Sequence, residues 1–575
     1  MRLAAILTPA ASWRRSTYSR TAAHQRLQHR KIAAYLTSLL SRHTADKAPA
    51  AFDVLTIDKR NCPVSRPAIE LADPQSASTF PQFVRATAAA YGDDLAIALK
   101  GETVADESLT FSELERKSAA LAKGMIARGV GKGTRVGFIL GNGPSFALVL
   151  AAISRIGAIA IPISTLLKQN ELVRVLRQSD VAGLIVQRRL LGHDYVDRLC
   201  DALPELRESD DPDLRLAKTP YLRWIVSTGD ALPATIRDMS FLAGAADKVS
   251  EELLLEIESE VHPTDQMIEI YTSGSMALPK GVKHNHGPVL HRTHYIRSMN
   301  RLDRGMELSA PLPMFWVGGL MMMLLPRWEI GAATICTEGT STDSRLAMGS
   351  VLAAEDLKPN PDGTVIWALG MTETLGPYSY ADSQRVPGYP LCPPLDHIVD
   401  CFDVRVAVDG KPVPAGEPGE IQVRGYALTP GLHKVEQSEY FEPDGFYRTG
   451  DIGIVDGSRI NFVGRDGDMI KSADSNVSPA EVEMEMQQLE GVHSAYVVGL
   501  PDRERGQLVV AAVVPRDGVD LDFDAIQMKL RQRLSSYKVP RAYVAITREE
   551  VPMLHSNKVA RRHIERLMAE KLGRN

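Results

Sequence analysis

Residues 271–287, YTSGSMALPKGVKHNHG, concentrate the side chains best suited to holding an anion. Thr272, Ser273 and Ser275 surround Gly274, and Lys280 stands just before Gly281. Small residues let backbone N–H groups approach a phosphate closely, and hydroxyls with one ammonium complete a cradle. The GxxxxGK[ST] order of a Walker loop is absent, because the lysine precedes its glycine. Taken alone, the stretch reads equally well as a polar Ser/Gly turn. Two further stretches add carboxylates: Thr372-Glu373-Thr374 within WALGMTETLGPYS (367–379), and Asp451 within GFYRTGD (445–451). Each is weak by itself, and an Asp after Gly between two strands is an ordinary turn residue.

The order of these stretches is far more specific than any one of them. With SAPLPMFWVGGL (309–320), the continuation of 445–483 and the closing VPMLHSNKVARRHIERL, they run from about residue 76 to about residue 570. Over that length the chain resembles the adenylate-forming superfamily of acyl-CoA synthetases, peptide-synthetase adenylation domains and luciferases. The resemblance implies that a carboxylate attacks the α-phosphate of ATP, releasing pyrophosphate, and that a thiol, most often that of coenzyme A, then displaces AMP.

The same resemblance implies residue roles. Thr272, Ser273, Gly274, Ser275 and Lys280 hold the β- and γ-phosphates, Thr372 touches phosphate, and Glu373 holds Mg²⁺. One carboxylate among phosphate oxygens suits that ion. Asp451 accepts the ribose hydroxyls, Arg465 also reaches the ribose, and Lys558 enters the site during adenylation. Phe315, Trp316, Gly319 and Gly370 border the acyl pocket. Leu369 stands where an aromatic often stacks on adenine. Gly467 is the hinge about which the C-terminal domain rotates, bringing the loop 468–476 and Lys471 towards phosphate or coenzyme A.

The chain departs from the family pattern in four places. Met276 and Ala277 replace a hydroxyl and a glycine of the phosphate loop, and Met276 cannot donate to phosphate. Asp474 puts a carboxylate where glycine lets pantetheine pass. Asn557 replaces the glycine before Lys558, a mild change because asparagine tolerates left-handed backbone. The span from Gly331 to Gly370 is short. Three readings follow: an acyl-CoA ligase acting on a fatty or other apolar acid, an adenylate-forming enzyme with another acceptor, and a non-catalytic nucleotide- or acyl-binding relative.

The elements needed to position these residues are those of an α/β protein. Helical periodicity over 80–91 and 109–130, with Thr110 or Ser112 as cap, alternates with β-rich runs at 95–99, 135–140, 158–163 and 181–186. That alternation indicates mainly parallel, layered sheets. Beyond Gly464–Asp468 the pattern becomes a small α+β domain, with strands at 493–500 and 507–514 and a helix face of Phe523, Ile526, Leu530 and Leu534. The expected organisation is an extension over 1–75, a large domain over 76–464 and a small, mobile, hinged domain over 465–575.

At 575 residues more than one domain is expected, and 44% hydrophobic with 24% charged residues is ordinary globular composition. A net charge of −5 gives no electrostatic reason for a nucleic-acid partner. The five scattered cysteines fit a reducing compartment such as the cytoplasm. No run is long enough to span a membrane; the apolar stretch 146–163 carries Arg155 near its middle. The first 45 residues hold seven arginines, one lysine and no acid, a composition like that of a mitochondrial transit peptide, the alternative location. The MMMLL run at 321–325 suggests an apolar acyl pocket, and equally an ordinary buried core.

Overall fold

The computed structural model describes residues 73–101, 104–272, 279–299, 302–338, 365–383, 398–457, 459–465, 470–472, 475–477, 479–551 and 561–574. The expectations for Ser273, Gly274, Ser275, Met276, Ala277, Gly467, Asp474, Asn557, Lys558 and residues 1–45, and most of the short 331–370 span, lie outside them. So does the side chain of Arg465.

Short β-branched runs flanked by amphipathic helices leave one efficient arrangement, a sheet covered on both faces. Seven described strands form it, in the order Lys280–Asn285, Gln266–Thr272, Ile159–Pro162, Arg135–Ile139, Gly183–Val186, Trp224–Ser227, Ile236–Asp238. Every pairing is parallel except the hairpin between the first two. Successive residues feed opposite cores, as the two-residue period of a strand requires. Val136, Phe138, Ala160 and Ile185 enter the larger cluster with helices Phe80–Tyr91, Phe111–Ala127 and Pro144–Arg155. Ile139, Ile161, Leu184 and Val186 enter the other, against Leu172, Val175 and Leu199.

Thr110 caps the helix Phe111–Ala127, taking the Glu113 N–H while the Glu113 carboxylate takes its own N–H. Arg155, the charge inside the apolar run, is fully buried between Glu258 at 2.5 Å and Glu115 at 2.9 Å. A second, four-stranded sheet (Glu307–Ser309, Ala333–Thr337, Leu95–Lys100, Glu107–Thr110) packs in the same layered body.

One region of the large domain departs from simple α/β alternation. Residues 402–465 form a five-stranded antiparallel sheet, and its strand Tyr447–Asp456 contains the TGD stretch. Thr449, Gly450 and Asp451 are therefore a bulge within a strand, not a turn between strands: Glu420 pairs with Ile452, Gln422 with Arg448, and the register shifts between them. The MMMLL run is core, with Met321, Leu324 and Leu325 fully buried in the main cluster.

The C-terminal domain has its own centre. Strands Val492–Asp502 and Gly506–Pro515 pair along their length and send alternate residues into two clusters. Ile526, Leu530 and Leu534 cover one face, while Ile564 and Met568 cover the other. Among the described residues no helix is long and apolar enough to cross a membrane.

Two buried histidines make the fold acid-sensitive. Burial drives His284 and His286 down to about 3, against an unfolded value near 6.5. Below that unfolded value the unfolded chain takes up protons that the native imidazoles refuse, so stability is full above about pH 6.5 and is lost as pH falls towards 3. Each contributes a slope approaching about 1.4 kcal/mol per pH unit. Urea unfolding at pH 7, 6 and 5 is expected to show His286→Gln with a slope shallower by about that amount; equal slopes would refute the assignment.

Candidate active site

The hairpin Gln266–Thr272/Lys280–Asn285 ends with Thr272 opposite Lys280. The Lys280 ammonium lies 4.3 Å from the centre of the Tyr440 ring, a placement worth about 0.5–1 kcal/mol at a partly exposed site. Tyr440 stacks on Tyr447 at 6.1 Å, and the Tyr447 hydroxyl donates to Glu373 Oε1 at 3.1 Å. A continuous series of side chains thus links Lys280 to Glu373, which distance in the sequence conceals.

Glu373 sits in a single 3-10 turn, Thr372–Thr374. Leu375 then turns the chain back with φ of 54°, a left-handed conformation held by complete burial of its side chain. Gly370 permits that reversal, since a Cβ there would lie 2.4 Å from the Gly376 carbonyl oxygen. The turn is tied down from both sides. Thr429 N–H donates to the Glu373 carbonyl at 2.7 Å, and His284 Nε2 lies 2.8 Å from the Thr372 carbonyl oxygen.

Asp451 is buried in the bulge, and its register partner across the sheet is Arg465. Thr449 Oγ1 accepts the Asp451 N–H at 3.0 Å and donates to the Ile421 carbonyl at 2.6 Å. Gly450 N–H donates to Glu420. The side chains of the bulge thus fix its backbone.

A cavity of about 300 Å³ brings together Thr272, Phe315, Trp316, Gly370, Thr372 and Lys471. Lys280, Glu373, Asp451 and Gly319 do not line it. Gly319 instead packs beneath: a Cβ there would stand 2.1 Å from the Pro313 carbonyl oxygen, so glycine lets the 313–318 segment fold over the helix that follows. Phe315 and Trp316 meet edge to face at 5.4 Å, and with Leu312, Val317 and Ile270 they make the cavity's apolar wall. Leu369 is buried with Tyr378 and Phe402, so it serves the core.

Another part of the wall comes from the C-terminal domain: Ser475, within the 468–476 loop expected at the site, and Glu481, Tyr537 and Lys538, which sequence does not suggest, with Glu171 and Arg174 of the large domain. Lys538 Nζ donates to Glu171 at 2.6 Å and to Glu481 at 2.9 Å, all three buried. Burial opposes its charge, but Tyr537 and the two carboxylates outweigh that and hold the ammonium protonated beyond the ordinary lysine range. Ser535 adds N–H and hydroxyl donors to Glu171, and Arg174 pairs with Glu485. No local pattern announces the contact, because Lys538 and Glu171 are 367 residues apart.

Comparison with known proteins places these features in one family. The family model described as AMP-binding enzyme matches residues 84–360, and that of the AMP-binding enzyme C-terminal domain matches 481–558. The chain is an AMP-binding, adenylate-forming enzyme. It is 28% identical to the feruloyl-CoA synthase of an Amycolatopsis species over 80% of this chain and 94% of that protein. It is 23% identical to the mouse mitochondrial medium-chain acyl-CoA ligase ACSF2, over 86% and 88%. The o-succinylbenzoate CoA synthetase of Bacillus subtilis shares the fold, with a TM-score of 0.63, 19% identity and coverage of 84% and 98%.

AMP-binding CoA ligases use ATP, Mg²⁺ and coenzyme A, and the residues present suit the ion. Glu373 offers a part-exposed carboxylate next to Thr372, whose position against the hairpin 266–285 is fixed through His284. Among the described residues no group of three or more His, Cys, Asp or Glu could cage a metal. A single carboxylate fits Mg²⁺, which keeps water and substrate phosphate oxygens as most of its ligands.

Proposed function

We propose that this AMP-binding enzyme activates a fatty or aromatic carboxylic acid as its acyl-adenylate and transfers the acyl group to the thiol of coenzyme A. The cavity carries this reading, because an apolar wall of Leu312, Phe315, Trp316 and Val317 shares it with Thr272, Thr372 and Lys471. An apolar acyl chain against that wall would present its carboxylate to the hydroxyls. In the first step a carboxylate oxygen bonds to the α-phosphorus and the bond to pyrophosphate breaks. In the second, the thiol sulfur bonds to the acyl carbon and the bond to AMP oxygen breaks.

Both steps depend on positioning and charge neutralisation. The 273–275 loop and Lys280 hold the outer phosphates, Thr372 contacts phosphate, and Asp451 with Arg465 holds the ribose. Glu373 would hold Mg²⁺, which would supply charge neutralisation at the phosphates. Lys558 meets the charge that grows between carboxylate and α-phosphate, and Gly467 is the pivot between steps. The hairpin bearing Lys471 and Ser475 faces the cavity, which supports an arrangement ready for thioester formation. The two domains are taken to meet near residue 465, after an extension over 1–75. A cytoplasmic location is favoured by the scattered cysteines; mitochondrial import is the alternative, supported by the arginine-rich N-terminus and the likeness to ACSF2.

The test is acid-dependent ATP–pyrophosphate exchange with and without Mg²⁺, across fatty and aromatic acids, followed by addition of coenzyme A. Mg²⁺-dependent exchange that falls about 10²–10³-fold in Lys558→Ala is expected, as is a coenzyme A thioester as product. Exchange without thioester would shift the reading to another acceptor. Silence in folded protein across the panel would overturn it.

A further inference from the structure

His284 lies on the strand Lys280–Asn285, on the same hairpin as the phosphate loop, and its side chain is fully buried. An imidazole buried this deeply loses its hydration, and only a good hydrogen bond offsets the loss. Its Nε2 is 2.8 Å from the Thr372 carbonyl oxygen, while Nδ1 has no hydrogen-bond partner among the described residues. A carbonyl can only accept, so the proton is on Nε2. The ring is therefore held for one contact, and that contact is with the turn carrying Thr372 and Glu373.

The same strand grips the turn a second time. Thr429 donates its hydroxyl to the Lys283 carbonyl at 2.8 Å and its N–H to the Glu373 carbonyl at 2.7 Å. The phosphate hairpin and the Thr372–Thr374 turn are thereby joined at two adjacent peptide carbonyls, one by a side chain and one by a backbone amide.

We infer that His284 is a positioning residue, whose Nε2–H to Thr372 carbonyl bond sets the distance between the strand Lys280–Asn285 and the Glu373 carboxylate and so tunes the use of Mg²⁺ with ATP. It touches neither nucleotide nor acid and acts through the Thr372 peptide. This inference rests on the reading of the site as an ATP- and Mg²⁺-dependent one.

Burial keeps the ring neutral at working pH, so the tether does not switch with pH near neutrality. A peptide shift of about 1 Å at such a turn would cost on the order of 10²-fold in rate. The acyl wall at Phe315 and Trp316 lies on a separate segment, so acid binding would be spared.

The experiment compares wild type, His284→Leu and His284→Gln. Leucine fills the volume without a donor, whereas the glutamine amide can donate again. ATP binding is measured by calorimetry with and without Mg²⁺, alongside Mg²⁺- and acid-dependence of pyrophosphate exchange. In His284→Leu the half-saturating Mg²⁺ is expected to rise about tenfold and the exchange rate to fall about 10–10²-fold, with the acid KM within about twofold and Mg²⁺-free ATP binding weakened less than binding with Mg²⁺. His284→Gln should recover most of that loss.

Unaltered Mg²⁺ dependence in His284→Leu, or equal impairment in both variants, overturns the inference. Nitrogen NMR of the wild-type ring supplies a readout independent of activity and of the variants' folding. An Nε2–H tautomer is expected, and Nδ1–H overturns the assignment. A wild type that exchanges nothing and binds ATP without regard to Mg²⁺ would instead defeat the functional reading.

Discussion

Replacing Lys538 by methionine is expected to release the C-terminal domain from the large domain while leaving each core folded. Glu171 belongs to the helix Gln169–Gln178 of the large domain and Glu481 to the helix Pro479–Gln487 of the small one. Lys538 neutralises both from one ammonium. Glu481 is already lifted above the usual carboxylate range by burial, although Lys538 pulls the other way. Without the lysine two buried carboxylates face each other, and breaking such a pair costs about 3–5 kcal/mol. Undocking is the cheapest relief, since each domain keeps its own apolar clusters.

Hydrogen exchange in 169–178 and 535–539 should therefore accelerate at least tenfold, with little change inside Val492–Pro515. The thioester-forming rate should fall more than pyrophosphate exchange, because Lys471 and Ser475 leave the cavity wall. The triple replacement Glu171→Gln, Lys538→Met, Glu481→Gln should recover much of the docking, since neutral side chains of similar size can replace a buried ionic group at little net cost. Unchanged exchange in Lys538→Met would show that the triad contributes nothing to the interface.

The latch also shows where sequence reading reaches its limit. Helix Phe80–Tyr91, the Thr110 cap and the parallel strands were legible because period, capping and β-branched runs are local signals. The pairing of Lys538 with Glu171 is decided by docking, and no local pattern encodes it. The TGD stretch shows a different limit. Gly and Asp together signal a turn, but here a strand continues through them because Thr449 and Glu420 satisfy the bulged backbone.

For the candidate site, the sequence offered residue types but not the connections between them. Lys280, Thr372 and Glu373 stood out, and the structure places Thr372 at the cavity while Lys280 and Glu373 do not line it. The tyrosines that join them, Tyr440 and Tyr447, carried no signal beyond ordinary aromatics. His284 was overlooked because an isolated histidine in a polar run looks like surface; burial alone distinguishes it. The methionines at 321–323 left two readings open. Apolar runs suit cores and pockets alike, and here the core took them.

Glu373→Gln is expected to reduce pyrophosphate exchange by about 10²–10³-fold. The amide keeps the size of the carboxylate and can still accept from the Tyr447 hydroxyl at 3.1 Å, so the turn should survive. What is lost is the charge, and with it the affinity of a hard cation for this position. The deficit should therefore appear as a raised Mg²⁺ requirement, with Mg²⁺-free ATP binding and melting temperature near wild type. Tyr447→Phe separates charge from orientation: the carboxylate remains but loses a hydrogen bond to a charged group, worth about 1.5–3 kcal/mol. If most of that bond serves to orient Glu373, exchange should fall by about tenfold or somewhat more, and saturating Mg²⁺ should restore part of it. Because Tyr447 also stacks on Tyr440 beneath Lys280, the phenylalanine ring preserves that support. Wild-type Mg²⁺ dependence in Glu373→Gln would remove Glu373 from the metal site, and a Tyr447→Phe deficit as deep as that of Glu373→Gln would mean that orientation outweighs charge there.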